Sequence, residues 1–188
     1  AVGKALDQST RDSSQFAVIF VDVDRFKVIN DTLGHAAGDH LLQELASRMK
    51  HVVRGRDLVA RMGGDEMCLL LHDVRDASHA SEIAERILGA LRVPVELRSG
   101  IQHHVTVSAG IAVFPQDGTD VETLLRHADI AMYRAKAAGR DGFALFGAHD
   151  GGPAEARLNL ELELRTAIDL GQLVLHYQPR VDVITGRP

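Results

Sequence analysis

The segment Arg61-Met62-Gly63-Gly64-Asp65-Glu66-Met67 constrains the fold of this chain more than any other. Apolar runs flank it, Leu58-Val59-Ala60 before and Met67-Cys68-Leu69-Leu70-Leu71 after. Two short strands meeting at a glycine pair read as a tight β-hairpin over roughly residues 58–72, because glycine enters positive φ at no steric cost. Two carboxylates, Asp65 and Glu66, stand at or just past its tip. A second acidic pair, Asp22 and Asp24, closes the apolar run Phe16 to Val21, which reads as a buried strand. If the two strands are neighbours, the carboxylates converge at one end of a sheet. Such an arrangement suits Mg²⁺, which takes one or two carboxylates and completes its shell with substrate phosphates.

Elsewhere the pattern alternates between helix and strand. Residues 1–15 read as the tail of a helix. A short helix is expected over 25–33 and a clearer one over 36–51, where Leu41, Leu42, Leu45 and Met49 recur at helical spacing. Ala80, Ile83, Ala84, Ile87, Leu88 and Leu91 predict a helix over 77–92, which Pro94 ends. A strand is expected from His103 to Val113, then a Pro115–Gly118 turn, a helix over 120–138 capped by Asp120, and a last strand from Phe143 to Phe146. This order gives an α+β or mixed α/β class. The Gly147–Pro153 stretch reads as a linker, so a domain over 1–147 is followed by a linker at 148–157 and a further segment at 158–188.

Composition narrows the function. The 188 residues have room for one domain and a fragment, and 45% hydrophobic with 25% charged residues describes a folded chain. The net charge of −5 gives no basic field for nucleic acid, so a phosphate-bearing ligand must be held by local cations and backbone amides. The one cysteine, Cys68, cannot form an internal disulfide and reads as a buried thiol. No apolar run approaches the ~18 residues of a membrane span and no signal peptide is visible, so this segment is expected to be soluble and cytoplasmic, whatever anchors its parent protein.

Four blocks in order carry a resemblance. Asp22-Val23-Asp24-Arg25-Phe26-Lys27-Val28-Ile29-Asn30-Asp31 is similar to the D-x-D-x-F-K-x-x-N-D block of the GGDEF family, the diguanylate cyclases. Gly34-His35-Ala36-Ala37-Gly38-Asp39 resembles its G-H-x-x-G-D block, and the hairpin resembles its name-giving motif. Ala128 to Lys136, with Gly139-Arg140, resembles its late A-D-x-A-M-Y-x-A-K-x-x-G-R helix. The resemblance implies a five-stranded central sheet wrapped by helices, akin to nucleotidyl cyclases and polymerase palms. It implies that two GTP-loaded protomers meet as a homodimer and join their nucleotides into c-di-GMP and pyrophosphate. It places Mg²⁺ (or Mn²⁺) on Asp22, the Val23 carbonyl and Asp65, with Asp65 and Glu66 as catalytic acids. Asn30 and Asp39 would read guanine, while the Phe26–Lys27 loop, Lys136 and Arg140 would hold phosphates. Lys136 and Arg140 are expected on one face of the late helix.

Alone, each of these acids could equally cap a helix or polarise a turn, and Asp24 is as well explained by capping the helix after strand one. Arg54-Gly55-Arg56-Asp57 matches the family's inhibitory R-x-x-D product site, with Arg54 and Asp57 as binders of c-di-GMP and Arg86 as a second arginine from another protomer. A surface ion pair is the plainer account of Arg54 and Asp57. His35 reads as a structural donor in its loop. Two positions depart from the family. Met67 stands where phenylalanine is usual, and as the second hairpin strand begins it should point into the core. The family's D-x-L-T-x-L-x-N-R block is absent at the start. Residues 158–188, with Leu173-Val174-Leu175-His176-Tyr177-Gln178-Pro179, resemble the opening of an EAL domain, the c-di-GMP phosphodiesterase. Two rival roles follow: a GTP-binding regulatory module for a fused phosphodiesterase, or a c-di-GMP receptor.

Overall fold

In the computed structural model, described for residues 1–98, 101–147, 167 and 172, the elements run α1 (Val2–Asp12), β1 (Phe16–Val23), α2 (Phe26–Leu33), α3 (His35–Val52), β2 (Leu58–Gly63), β3 (Glu66–Leu71), α4 (Ala77–Leu91), β4 (Val95–Arg98), β5 (Ile101–His103), β6 (Val107–Phe114), α5 (Val121–Ala137) and β7 (Gly142–Leu145). Five strands form one mixed sheet in the order β2-β3-β1-β6-β7, and β4 and β5 form a separate two-stranded ribbon. β1 is antiparallel to β3 and β6, and β6 is parallel to β7 through the crossover helix α5.

β1 sits at the centre and is buried along its whole length, which is why it reads as an unbroken apolar run. Its side chains divide between two cores. Ala17, Ile19, Val21 and Val23 face Leu41, Leu45 and Met49 of α3 and Ile83, Ile87 and Leu91 of α4. Phe16, Val18 and Phe20 face Ala5 of α1 and Leu124, Ala128 and Met132 of α5. Each large side chain here contributes roughly 1.5–3 kcal/mol by leaving water. The alternation puts Asp22 on the α5 side, in step with Phe20.

Gly110 brings α5 very close to the sheet. A Cβ built there would stand 2.0 Å from the Ala128 carbonyl oxygen and 2.0 Å from the Met132 amide nitrogen. Only glycine allows that approach of backbone to backbone. Across the other face, Arg48 is held by Glu44 at 2.9 Å and donates to the carbonyls of Ala90, Val93 and Pro94, satisfying the end of α4.

Three expectations need correction. The strand expected from His103 to Val113 is two elements. Ile101–His103 pairs with β4, and β6 starts at Val107. Strands of four and three residues are too short for their alternation to show in the sequence. The hairpin turn is Gly64-Asp65, one residue later than a Gly63-Gly64 tip, with a bulge between Arg61 and Gly63 that absorbs the offset. The late helix stops at Ala137, so Arg140 is not on its face. The start is a full helix, α1.

Contacts divide the chain into Ala1–Asp150 and Gly151–Pro188. In the second unit Ala167 is helical and its carbonyl accepts from the Gln172 amide. The readings of a linker at 148–157 and of an EAL opening at 158–188 otherwise lie outside the described residues. Among the described residues no helix is long and apolar enough to cross a membrane.

Candidate active site

The antiparallel registers decide which acids meet. Asp22 lies opposite Glu66 of β3 on one side and Ser108 of β6 on the other. Asp65 occupies the turn that precedes Glu66, closed by Gly64 at φ 48° and by Arg61 Nε donating to the Gly64 carbonyl at 2.9 Å. Asp129 of α5 adds a fourth carboxylate. Lys136, in the last turn of α5, reaches Asp22 Oδ2 at 2.7 Å.

Charge is crowded here. Burial pushes the Asp22 carboxyl above its ordinary value; Lys136 pulls it back, and the charges of Asp65 and Asp24 push it up again. Glu66 is also raised, by burial first and then by Asp129, Asp22 and Asp65. Burial raises Asp129, with Lys136 opposing. The cluster therefore favours any cation that enters it. Among the described residues no three His, Cys, Asp or Glu side chains form a group that could hold a metal ion by themselves. A hard divalent ion fits this donor set as one that shares its shell with ligand oxygens.

Asp24 is not a helix cap. The N-cap of α2 is Arg25, at φ 58°, and no side chain caps that helix. Its first amides thus lack a side-chain acceptor, beside the buried Phe26 and the exposed Lys27, and can receive an anion. The Asp24 carboxylate instead accepts from Thr106 Oγ1 at 2.7 Å, Ser108 Oγ at 2.8 Å and the Asp141 amide at 3.2 Å, with Arg140 Nε 3.9 Å away. Arg140 itself takes φ 65° beyond the helix end. It reaches the same acidic strand end as Lys136 by a turn, not along a helix face.

Asn30 of α2 lies under α3. Its Oδ1 is buried with no hydrogen-bond partner, and a Cβ on Gly38 would stand 2.0 Å from that oxygen. Gly38 thus leaves room for the Asn30 amide, a role signalled in the sequence only by a glycine early in a helix. Asp39 follows, exposed, on the same helix. His35 is exposed at the start of α3.

The R-x-x-D segment lies in the α3–β2 loop. Asp57 is committed there, since its two carboxylate oxygens accept from the backbone amides of Arg54 and His72, each at 2.9 Å. No Arg54–Asp57 side-chain pair forms among the described residues, so the surface ion pair gives way to a loop-tying acid beside an exposed arginine. Arg86 of the same chain reaches the Val52 carbonyl at 3.2 Å, close to this loop. Met67 is 2% exposed and packs in the α3–α4 core. Cys68 is buried on the α5 side, where burial pushes its thiol up to about 11.

Comparison with known proteins agrees with this architecture. The family profile described as "Diguanylate cyclase, GGDEF domain" matches residues 1–142. A bifunctional diguanylate cyclase/cyclic di-GMP phosphodiesterase, MucR of Pseudomonas aeruginosa, is 42% identical over 180 residues, which are 95% of this chain and 26% of the relative. The structure of an N-terminally shortened mutant of TpbB (YfiN) from Pseudomonas aeruginosa, comprising only its GGDEF domain, matches with a TM-score of 0.77 at 40% identity, covering 79% of this chain and 87% of that one. The GGDEF domain of DgcB from Caulobacter crescentus, solved with c-di-GMP, matches with a TM-score of 0.68 at 27% identity, covering 76% of this chain and 84% of that one. The chain belongs to the GGDEF family of diguanylate cyclase domains. It spans about a quarter of the length of MucR and of similar relatives that match over most of this chain.

Proposed function

We propose that this chain is the cyclase domain of a GGDEF–EAL protein and condenses two GTP into c-di-GMP and pyrophosphate. The observation that carries the reading is the meeting of Asp22, Asp65 and Glu66 at one sheet end, with Lys136 already 2.7 Å from Asp22. Asn30 and Asp39 read the guanine edge, and the Asn30 amide, whose Oδ1 has no hydrogen-bond partner in the protein, is not committed elsewhere through that oxygen. An adenine there would leave these polar groups unpaired. The α2 amides, Lys27, Lys136 and Arg140 take the phosphates. Mg²⁺ or Mn²⁺ on Asp22, the Val23 carbonyl and Asp65 would neutralise phosphate charge and acidify the ribose 3′-hydroxyl. Glu66 is the acid whose raised basicity suits accepting that proton. The reacting hydroxyl and α-phosphorus sit on different nucleotides, so two protomers must face each other.

The match to MucR runs over 95% of this chain, past the profile's end at residue 142, and this favours an EAL domain beginning within 158–188. It also motivates a second reading, a GTP-binding module that regulates a fused phosphodiesterase. Arg54, with Arg86 beside its loop, supports product inhibition by c-di-GMP. The test is incubation of the protein with GTP and Mg²⁺, followed by chromatography of the products. Wild type should yield c-di-GMP, while Asp22→Ala and Asp65→Ala, folded by circular dichroism, should not. Tight GTP binding without turnover would favour the regulatory module, and equal affinity for ATP and GTP would remove the guanine pocket.

A further inference from the structure

We propose that Arg92 is a positioning residue for Arg140, acting through Asp141, and so sets how firmly the chain holds the triphosphate of a nucleotide. The inference rests on the nucleotide reading above. Beyond α5 the backbone turns through Gly139, Arg140 and Asp141 at φ 125°, 65° and 47°. The last two are not glycines, and each is strained in the left-handed region. Such strain persists only where surrounding contacts over-determine the backbone, and it gathers at functional sites.

The Gly139 amide donates to the Lys136 carbonyl at 3.4 Å, and three further contacts hold Arg140 and Asp141. The Arg140 amide donates to the Ala135 carbonyl at 3.1 Å, and the Asp141 amide to Asp24 at 3.2 Å. The third comes from Arg92, just past the end of α4. Its Nε donates to Asp141 Oδ1 at 2.9 Å and its Nη2 to the Asp141 carbonyl at 3.0 Å. Glu85, two turns back on the same face of α4, lies 3.5 Å from the same guanidinium and orients it. The planar fork grips side chain and main chain of one residue together, which a lysine ammonium cannot reproduce. Arg140 is thereby held from behind, while its own guanidinium stays half exposed, 3.9 Å from Asp24. Arg92 lies past the helix that packs on the face opposite α5, and it reaches across to this turn beside Lys136 and Arg140.

The experiment is a double-variant cycle on the protein, read by calorimetry with a GTP analogue carrying a methylene between the α- and β-phosphates, and with GMP. Arg92→Ala should weaken the analogue roughly fivefold, as expected for losing a contact worth about 1 kcal/mol. Arg140→Ala should weaken it more. The double variant should match Arg140→Ala alone, because Arg92 has no effect except through Arg140. GMP affinity should not change in Arg92→Ala, and Arg92→Lys should recover only part of the loss. If Arg92→Ala fails to fold, Asp141→Asn carries the same comparison, since asparagine tolerates positive φ but lacks the charge that Arg92 grips. Additive losses, or an equal fall in GMP affinity, would overturn the positioning role. A wild type that binds neither nucleotide would overturn the nucleotide reading, and this role with it.

Discussion

Gly38→Ala separates stability from nucleotide binding. The new Cβ would stand 2.0 Å from Asn30 Oδ1, 3.1 Å from Asn30 Cγ and 3.0 Å from Phe26 Cζ. The severe overlap is with the end of a rotatable side chain, so Asn30 moves away rather than the helices parting. Forcing that amide off its rotamer costs about 0.5–1.5 kcal/mol. Replacing glycine by alanine inside α3 returns roughly 1 kcal/mol of helix propensity. The two offset each other, and the melting temperature should stay within a few degrees of wild type. Binding should not be spared. If Asn30 reads guanine, its displacement removes a hydrogen bond and leaves a base atom unpaired, a loss of about 1–3 kcal/mol. That corresponds to roughly five- to 150-fold weaker GTP binding. Thermal melts and calorimetry on one preparation, with Asn30→Ala beside it, decide the matter. Gly38→Ala that binds GTP within twofold of wild type would refute the assignment of Asn30 to the base.

Met67→Phe should lower stability by about 1–3 kcal/mol, because position 67 is closed and a larger ring overpacks it, while turnover changes less than about tenfold, or 1.4 kcal/mol of barrier; rescue of an otherwise dead enzyme would instead make Met67 the inactivating lesion. Arg54→Ala should weaken c-di-GMP binding and leave GTP affinity alone, whereas Asp57→Ala should lower the melting temperature by freeing the Arg54 and His72 amides; equal thermal effects would refute this division of roles. Asp22, Glu66 and Asp129 are raised above their ordinary values of 3.8, 4.5 and 3.8, so in chelator their contribution to stability is fully present below those values and is lost as pH rises through the raised ones. Melting curves against pH should therefore flatten in the Asp22→Asn/Glu66→Gln/Asp129→Asn variant, and superimposable profiles would show that these acids are unperturbed.

What the sequence disclosed is what periodicity encodes. The run Phe16–Val21, the Leu41–Met49 stripe and the glycine hairpin each follow from a local pattern matched to one buried face. β4 and β5 escaped because four and three residues carry no readable period. The sequence leaves the role of Asp24 open between a cap and a site residue for a different reason. Its donors Thr106, Ser108 and Asp141 lie 82, 84 and 117 positions away, and only the strand order brings them together. Asp57 was legible as an acid but not as the tie between Arg54 and His72. The sequence puts the end of α5 at residue 138, one past the observed Ala137, and with Gly139 as a stop signal this already places Arg140 outside the helix; only its assignment to the helix face fails.

The contact at Gly110 has a consequence for how this domain tolerates change. The height of α5 above the sheet is set there by main-chain atoms, the Ala128 carbonyl and the Met132 amide against a glycine Cα. It does not depend on which apolar side chains fill the seam around it. Lys136 follows one helical turn beyond Met132, so its reach to Asp22 is fixed by the same peg. Neighbours such as Leu124 and Phe114 can drift in size, and the domain then loses stability well before it loses the lysine's position. Gly110 has no such latitude. A single methyl group would lift the helix, and the cation with it, off the acids it serves.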